Sequence, residues 1–246
     1  MDSKPTLSII AVVVDNLEIS KRFISSIRQY TTGTYELILI DNGSKDSLVS
    51  EYYKNTADTY FKFEEMTDLA KAWNKGIALS KGDFVAVVNN DTVVPKQWNE
   101  MLIETLQNNE KAGMVSPLTY WLIAGHFKHK MFKVWDLDFN NPKPFAVEKF
   151  KDMVWGEFCV FKRAVLEEIG GYNEIYKKLH AEDLEMAFQL FDRGYDIYID
   201  PRVFVYHEGS ASHISGIRPN EELEKIRQEN FELFKSRWPE QTKYWK

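Results

Sequence analysis

The chain has 246 residues, of which 44% are hydrophobic, 28% charged and 14% aromatic. That is ample apolar material for one full-sized domain, and it excludes disorder and collagen-like or mucin-like repeats. The formal net charge of −6 argues against a nucleic-acid binder that works by bulk electrostatics.

Leu7–Val14 is a nearly unbroken β-branched run, the pattern of a strand covered on both faces. It is too short for a transmembrane helix and no cleavage site follows, so the N-terminus reads as a buried strand and the protein as soluble or at most peripheral. Glu18–Tyr30 has helical spacing, with Ile19, Phe23, Ile24 and Ile27 on one side. Tyr35–Ile40 is a second buried strand, Ser47–Tyr53 a weaker helix and Tyr60–Phe63 a short strand. Thr67–Leu79 is the next helix, Asp83–Val88 a strand, and Trp98–Leu106 a helix. This alternation predicts βαβ units and an α/β fold with a mostly parallel sheet.

The second half is less regular. Residues 114–155 lack clear periodicity. Cys159, the single cysteine, excludes an internal disulfide framework and a cysteine-rich zinc site. In the run Phe158-Cys159-Val160-Phe161 it reads as a buried small side chain, and a reducing, cytoplasmic setting fits. Arg163–Ile169 and Glu182–Arg193 read as helices ended by glycine, Ile197–Ile199 and Val203–Tyr206 as strand-like pieces around Pro201, and Glu221–Phe234 as a charged amphipathic helix.

In open α/β sheets, ligands bind at the carboxyl ends of the strands. Three predicted strands end in polar clusters: Val14-Asp15-Asn16, Asp41-Asn42-Gly43-Ser44 and Asn89-Asn90-Asp91-Thr92. Asp, Asn and Gly also simply make turns, but three such clusters converge on one edge if the strands are parallel. No strand is followed by Gly-x-Gly-x-x-Gly or Gly-x-x-x-x-Gly-Lys-Ser/Thr, which disfavours a dinucleotide oxidoreductase or a P-loop enzyme.

These residues carry a resemblance. Leu7-Ser8-Ile9-Ile10 through Asn16, Ile38–Asp46, Asn74-Lys75-Gly76 and Val88–Thr92 resemble family 2 glycosyltransferases of the GT-A fold. Gly170-Gly171-Tyr172-Asn173-Glu174, Ala181–Glu185 and Tyr206-His207-Glu208-Gly209-Ser210 follow in that family's order, so the resemblance covers about residues 6–213. It implies one GT-A (Rossmann-like) domain with a central mixed, mostly parallel sheet flanked by helices. About residues 1–110 would form the nucleotide-binding half, 111–215 the acceptor and catalytic half, and 216–246 a helical tail.

The implied activity is inverting transfer of one sugar from a nucleoside-diphosphate sugar, UDP favoured and dTDP or GDP possible, to a hydroxyl acceptor in glycan or polysaccharide biosynthesis. The acceptor would be a carbohydrate, a lipid-linked molecule or a protein. On this resemblance Asp41 hydrogen-bonds the nucleobase, with Val13, Asp15, Asn16, Asn42, Asn74 and Asn90 in the nucleotide pocket. Asp91 and His207 hold Mn²⁺ or Mg²⁺ against the diphosphate, and Asp183 is the general base. Asn89, Trp155, Gly156, Glu182 and His213 are candidate donor or acceptor contacts. The family's metal motif is often Asp-x-Asp, and here Asn89 takes its first position.

Each role has an ordinary alternative. His207 could donate to a backbone carbonyl at a strand end. Glu182 and Asp183 open a predicted helix, where acids favour the positive end of the dipole. His213 could be a loop residue, and Trp73 and Trp155 fit core packing. Residues 119–150 match nothing in the family core and are assigned to the acceptor; their cluster Lys128, Lys130, Lys133, His126 and His129 suits an anionic or lipid-linked acceptor, or is a solvated basic loop.

Processive synthases of this family carry Gln-x-x-Arg-Trp and membrane helices. Here Phe234 precedes Arg237-Trp238 at the glutamine position and no membrane helix follows, which favours single-sugar transfer. Two rivals remain: a sugar nucleotidyltransferase, which would need a Gly-rich basic loop after the first strand, and a catalytically silent sugar-nucleotide binder, suggested by Asn89.

Overall fold

The first strand, β1 (Leu7–Val13), alternates its side chains between two separate cores. Ile10 points into one, and Leu7, Ile9, Ala11 and Val13 into the other. A strand buried on both faces favours apolar residues, which is why its sequence is a nearly continuous apolar run; its one polar residue, the buried Ser8, donates to Glu36 Oε1 at 2.7 Å. The protein is described here by a computed structural model covering residues 4–119, 148–150, 156–208 and 221–243.

After β1 the chain runs α1 (Leu17–Tyr30), β2 (Tyr35–Asp41), α2 (Ser47–Thr56), β3 (Thr59–Lys62), α3 (Leu69–Leu79), β4 (Phe84–Asn89), β5 (Thr92–Val93) and α4 (Trp98–Asn108). It continues with β6 (Ala112–Thr119), β7 (Glu148–Phe150), β8 (Phe158–Lys162), α5 (Arg163–Ile169), α6 (Glu182–Asp192), β9 (Asp196–His207), α7 (Glu221–Arg237) and α8 (Pro239–Thr242).

The sheet order is β3-β2-β1-β4-β8-β6-β9-β5, with β7 paired to β9. Pairing is parallel from β3 to β4, as the βαβ alternation predicts, and again between β6 and β9. β8 runs antiparallel between β4 and β6, so the sheet is mixed.

Helices α1, α2 and α4 contribute Phe23, Ile27, Tyr53, Trp98 and Leu102 to one core. Helices α3, α5, α6 and α7 contribute Trp73, Leu166, Phe188 and Phe234 to the other. Each such fully buried side chain contributes about 1.5–3 kcal/mol relative to an exposed one.

Two parts of the sequence reading are corrected. The stretch without clear periodicity contains most of β6 and all of β7; β6 is buried along its whole length, so its sequence shows no alternation of polar and apolar residues. The two pieces around Pro201 are one strand. Its register with β6 jumps from Pro117–Asp200 to Leu118–Phe204, and this bulge accommodates a residue that has no N–H for the ladder. The buried Asp200 carboxylate closes the bulge, accepting hydrogen bonds from Arg202 N, Nε and Nη2 and from Thr105 Oγ1.

Cys159 is buried as expected, and burial pushes its thiol up to about 12. Trp73 is a core residue, packed on Tyr172 with ring centroids 4.7 Å apart. Trp155, His213 and the cluster from His126 to Lys133 lie outside the described residues.

Candidate active site

The parallel register brings the three polar clusters to one edge. Val13 stands beside Asp41, and Val12 beside Asn89. The first two clusters are tied together mainly by their own side chains. Asp15 Oδ1 accepts from the backbone N–H groups of Lys45 (3.0 Å) and Asp46 (3.4 Å), while Asp15 N donates to Ser44 Oγ (2.9 Å). Asp15 and Asn16 both have left-handed backbone, at φ 37° and 44°, a conformation Asp and Asn tolerate better than most residues. Gly43, at φ +88°, has a tighter requirement: a Cβ there would lie 2.7 Å from Met66 N.

Several of the expected ligand-contact residues already have protein partners. Asp41 is fully buried; it accepts from Ser44 N, Ser50 Oγ and Tyr60 OH, each at 2.8 Å. The carboxylate thus ties β2 to α2 and β3. Asn42 makes a two-way clamp with the backbone of Thr67, at 3.0 and 2.9 Å.

Asn74 is likewise engaged, donating to Tyr172 O and Glu174 Oε1 and accepting from Tyr172 N, all at 2.8 Å. It fastens α3 to the Gly170-Gly171 turn. Asn90 Nδ2 donates to the buried Ser20 Oγ at 2.9 Å. These polar side chains build the wall of the edge, because buried amides and carboxylates are costly unless hydrogen-bonded. Val13 is fully buried in the same wall.

The third cluster differs. Asp91 is 8% exposed, and the two-residue strand β5 that follows it pairs with the end of β9, setting Thr92 opposite His207. His207 Nε2 lies 3.0 Å from Asp91 Oδ1, but its N–H does not point at that oxygen; both Asp91 Oδ1 and His207 Nδ1 are buried without a hydrogen-bond partner. Burial lowers the His207 pKa, the Asp91 and Glu157 carboxylates raise it, and the balance is a raised value.

A carboxylate and an imidazole drawn together without a directed hydrogen bond fit a shared divalent cation. Both groups are donors to a divalent metal ion, the carboxylate through oxygen and the imidazole through nitrogen. Asn89 offers no carboxylate, and its backbone is committed: its N–H donates to Glu157 O at 2.9 Å, and its carbonyl accepts from Thr92 Oγ1 at 2.8 Å.

Glu182 and Asp183 open α6. Asp183 Oδ2 accepts from Gly156 N (3.1 Å) and Oδ1 from Leu184 N (2.8 Å). A Cβ at Gly156 would lie 2.8 Å from Asp183 Cβ, so glycine allows the close approach. Burial raises the Asp183 pKa against those N–H donors. Glu182 is 5% exposed with Oε2 unpartnered; burial, then the Asp183 charge, push it well above the ordinary range.

Glu157 was not among the sequence candidates. It is 6% exposed, and Thr119 Oγ1 donates to it at 2.5 Å. Burial raises its pKa, the His207 charge lowers it and the Asp183 charge raises it. A glutamate directly ahead of the apolar run of β8 was the available signal.

Residues 8–170 match the family described as Glycosyl transferase family 2. Among similar curated proteins, an uncharacterized protein of Sinorhizobium fredii is 25% identical over 97% of this chain and 28% of its own length. The chondroitin synthase of Pasteurella multocida is 22% identical over 74% of this chain and 22% of its own length. The poly-beta-1,6-N-acetyl-D-glucosamine synthase of Staphylococcus aureus is 23% identical over 68% and 41%. The chain therefore spans well under half the length of these relatives.

Two solved structures share the fold. GalNAc-T7 with UDP, GalNAc and Mn²⁺ superposes with a TM-score of 0.66 at 16% identity, covering 100% of this chain and 59% of the other. The Pyrobaculum calidifontis mannosyltransferase PcManGT with GDP-Man and Mn²⁺ gives 0.63 at 18% identity, covering 87% and 60%. With the family matched over most of the chain and a GT-A sheet carrying its polar strand ends on one edge, this protein belongs to glycosyl transferase family 2.

Proposed function

We propose that the protein transfers a glycosyl group from a nucleoside-diphosphate sugar, UDP favoured, to a hydroxyl acceptor with inversion at the anomeric carbon. The observation that carries this reading is the buried Asp91–His207 pair with its unpartnered atoms, to whose strand end the segment holding Asp183 is tied: Gly156 N donates to Asp183, and the next carbonyl, that of Glu157, accepts from Asn89 N. The nucleotide would lie along the edge built by Val13, Asp15, Asn16 and Asn90. Asp41, Asn42 and Asn74 shape that edge from behind through the bonds described above.

Asp91 and His207 would hold Mn²⁺ or Mg²⁺, whose charge, when bound, offsets the negative charge of the departing diphosphate. Asp183 takes the proton of the acceptor hydroxyl as its oxygen attacks the anomeric carbon from the face opposite the diphosphate. Donors from Gly156 N and Leu184 N fix the carboxylate in place. Glu182, buried and pushed toward its neutral form, offers a donor or acceptor to a sugar hydroxyl.

Transfer of a single sugar is favoured because Phe234, at the position of the processive glutamine, is buried in the core against Phe188. Among the described residues no helix is long and apolar enough to cross a membrane.

The test is incubation with Mn²⁺ and UDP-, dTDP- and GDP-sugars. Slow release of free nucleoside diphosphate, accelerated by an acceptor, supports a transferase. Pyrophosphate would point to a nucleotidyltransferase, and binding without release to a silent binder.

A further inference from the structure

The Arg237-Trp238 pair, separated from the processive motif by Phe234, has a definite destination. Helix α7 packs on α6 through Phe234 and Trp238, whose rings lie 5.1 and 5.5 Å from that of Phe188. At its end, Arg237 donates through Nε (3.0 Å) and Nη2 (2.8 Å) to Glu185 Oε1, and Trp238 Nε1 donates to Oε2 (2.7 Å). Tyr176 OH adds a bond to Oε2 at 2.8 Å, and Asn173 Nδ2 one to Oε1 at 3.2 Å. Glu185 is fully buried, two residues beyond Asp183.

Earlier in α7, Asn230 is 3% exposed and reaches the loop that leads into α6. Its Nδ2 faces the carbonyls of Lys177 (2.8 Å), Leu179 (3.1 Å) and His180 (3.2 Å), and its Oδ1 accepts from Lys177 N (3.2 Å). The loop is strained. Lys178, His180 and Ala181 have φ of 55°, 80° and 75°, in the left-handed region that residues with a Cβ rarely adopt. Such backbone persists only where the surroundings over-determine it.

Asp68 Oδ1, accepting from Lys178 N at 2.6 Å, holds the loop from the opposite side. Ala181 is the residue on which α6 begins, so relaxation of its φ would turn the first helical turn and move Glu182 and Asp183 with it.

We propose that α7 belongs to the catalytic machinery: Asn230 and Arg237 are positioning residues that hold the 177–181 loop and the first turns of α6 so that Asp183 meets the acceptor hydroxyl. The proposal rests on the reading of Asp183 as the base. The strain gives it a direction, since a released loop moves toward ordinary negative φ, and a displacement of about 1 Å in a reacting group costs on the order of a hundredfold in rate.

The test compares Asn230→Leu, similar in size but unable to hydrogen-bond, with the unaltered chain. Asn230→Asp, which keeps the acceptor and sets a second oxygen in place of the donors, serves if the leucine variant does not fold. Amide hydrogen exchange should rise at least about tenfold in residues 177–184, as local opening becomes easier, while β4 is unchanged. Unchanged exchange in the loop, or an equal rise in β4, would overturn the proposal.

Kinetics use whichever of UDP-, dTDP- or GDP-linked glucose, N-acetylglucosamine and mannose is turned over. kcat should fall roughly 10–100-fold with donor KM unchanged, and Asn230→Leu should slow Asp183→Asn no further. A slow Asp183→Asn that Asn230→Leu slows again by the same factor would remove the positioning role alone. A wild-type rate in Asp183→Asn would remove the base assignment and the positioning role together.

Discussion

His207 faces Thr92 across the β5–β9 ladder, and that pairing sets its Nε2 3.0 Å from the Asp91 carboxylate without a directed hydrogen bond between them. Chelation by EDTA should abolish turnover, and Mn²⁺ or Mg²⁺ should restore it. Asp91→Ala and His207→Ala should each weaken Mn²⁺ binding, followed by water proton relaxation, by at least about the 10–100-fold expected even for a supporting residue. Full activity in chelator, or unchanged Mn²⁺ affinity in both variants, would remove the cation from this pair.

Asp183→Asn keeps size and the Gly156 contact but cannot take a proton. kcat should fall roughly 10²–10⁴-fold with donor affinity nearly unchanged, and an α-linked donor should give a β-linked product by NMR. Because burial raises the Asp183 pKa, the acid limb of the kcat profile should lie above the ordinary value of 3.8, with activity rising as pH rises through it. The same shift has a stability consequence. A raised carboxyl contributes stability below its unfolded value and loses it as pH rises through the folded value, so the unfolding temperature of wild type should fall relative to that of Asp183→Asn as pH rises from about 4 to about 8.

Asp41→Ala leaves Ser44 N, Ser50 Oγ and Tyr60 OH without their acceptor in a buried site. A loss of about 2–4 kcal/mol in urea denaturation is expected, since a typical hydrogen bond contributes about 0.5–1.5 kcal/mol net. Nucleotide affinity by calorimetry should fall through disorder of the 43–46 turn. A variant of wild-type stability that loses only nucleotide binding would return Asp41 to direct base recognition.

Burial would raise the Glu185 pKa, but Arg237, Trp238 and Tyr176 more than offset it and the pKa is lowered. The stability this contributes is present above the unfolded value near 4.5 and is lost as pH falls through the folded value. Glu185→Gln should cost roughly 2–3 kcal/mol at pH 7, below the figure for a fully buried pair because the Arg237 side chain is 40% exposed. The difference from wild type should narrow below pH 4.5. A gap independent of pH would mean that the carboxylate charge plays no part in holding α7.

The sequence by itself determined β1, β2 and β4 and the helices between them, because burial on both faces leaves an apolar run and burial on one face leaves a 3.6-residue period. It also determined that polar clusters end those strands, and parallel pairing then brings the clusters to one edge. Gly170 stops α5 where the spacing ends.

What each polar residue touches is set by the folded chain. Asp41 and Asn74 carry the same carboxylate and amide whether they meet a ligand or, as here, Tyr60 and Tyr172. The Glu157 contact with Thr119, the continuity of β9 through Pro201, and the reach of Arg237 to Glu185 depend on partners distant in the chain. Periodicity is a local property of neighbouring residues, whereas a hydrogen bond is fixed by where the folded sheet and helices bring remote atoms, and no spacing within the sequence encodes that distance.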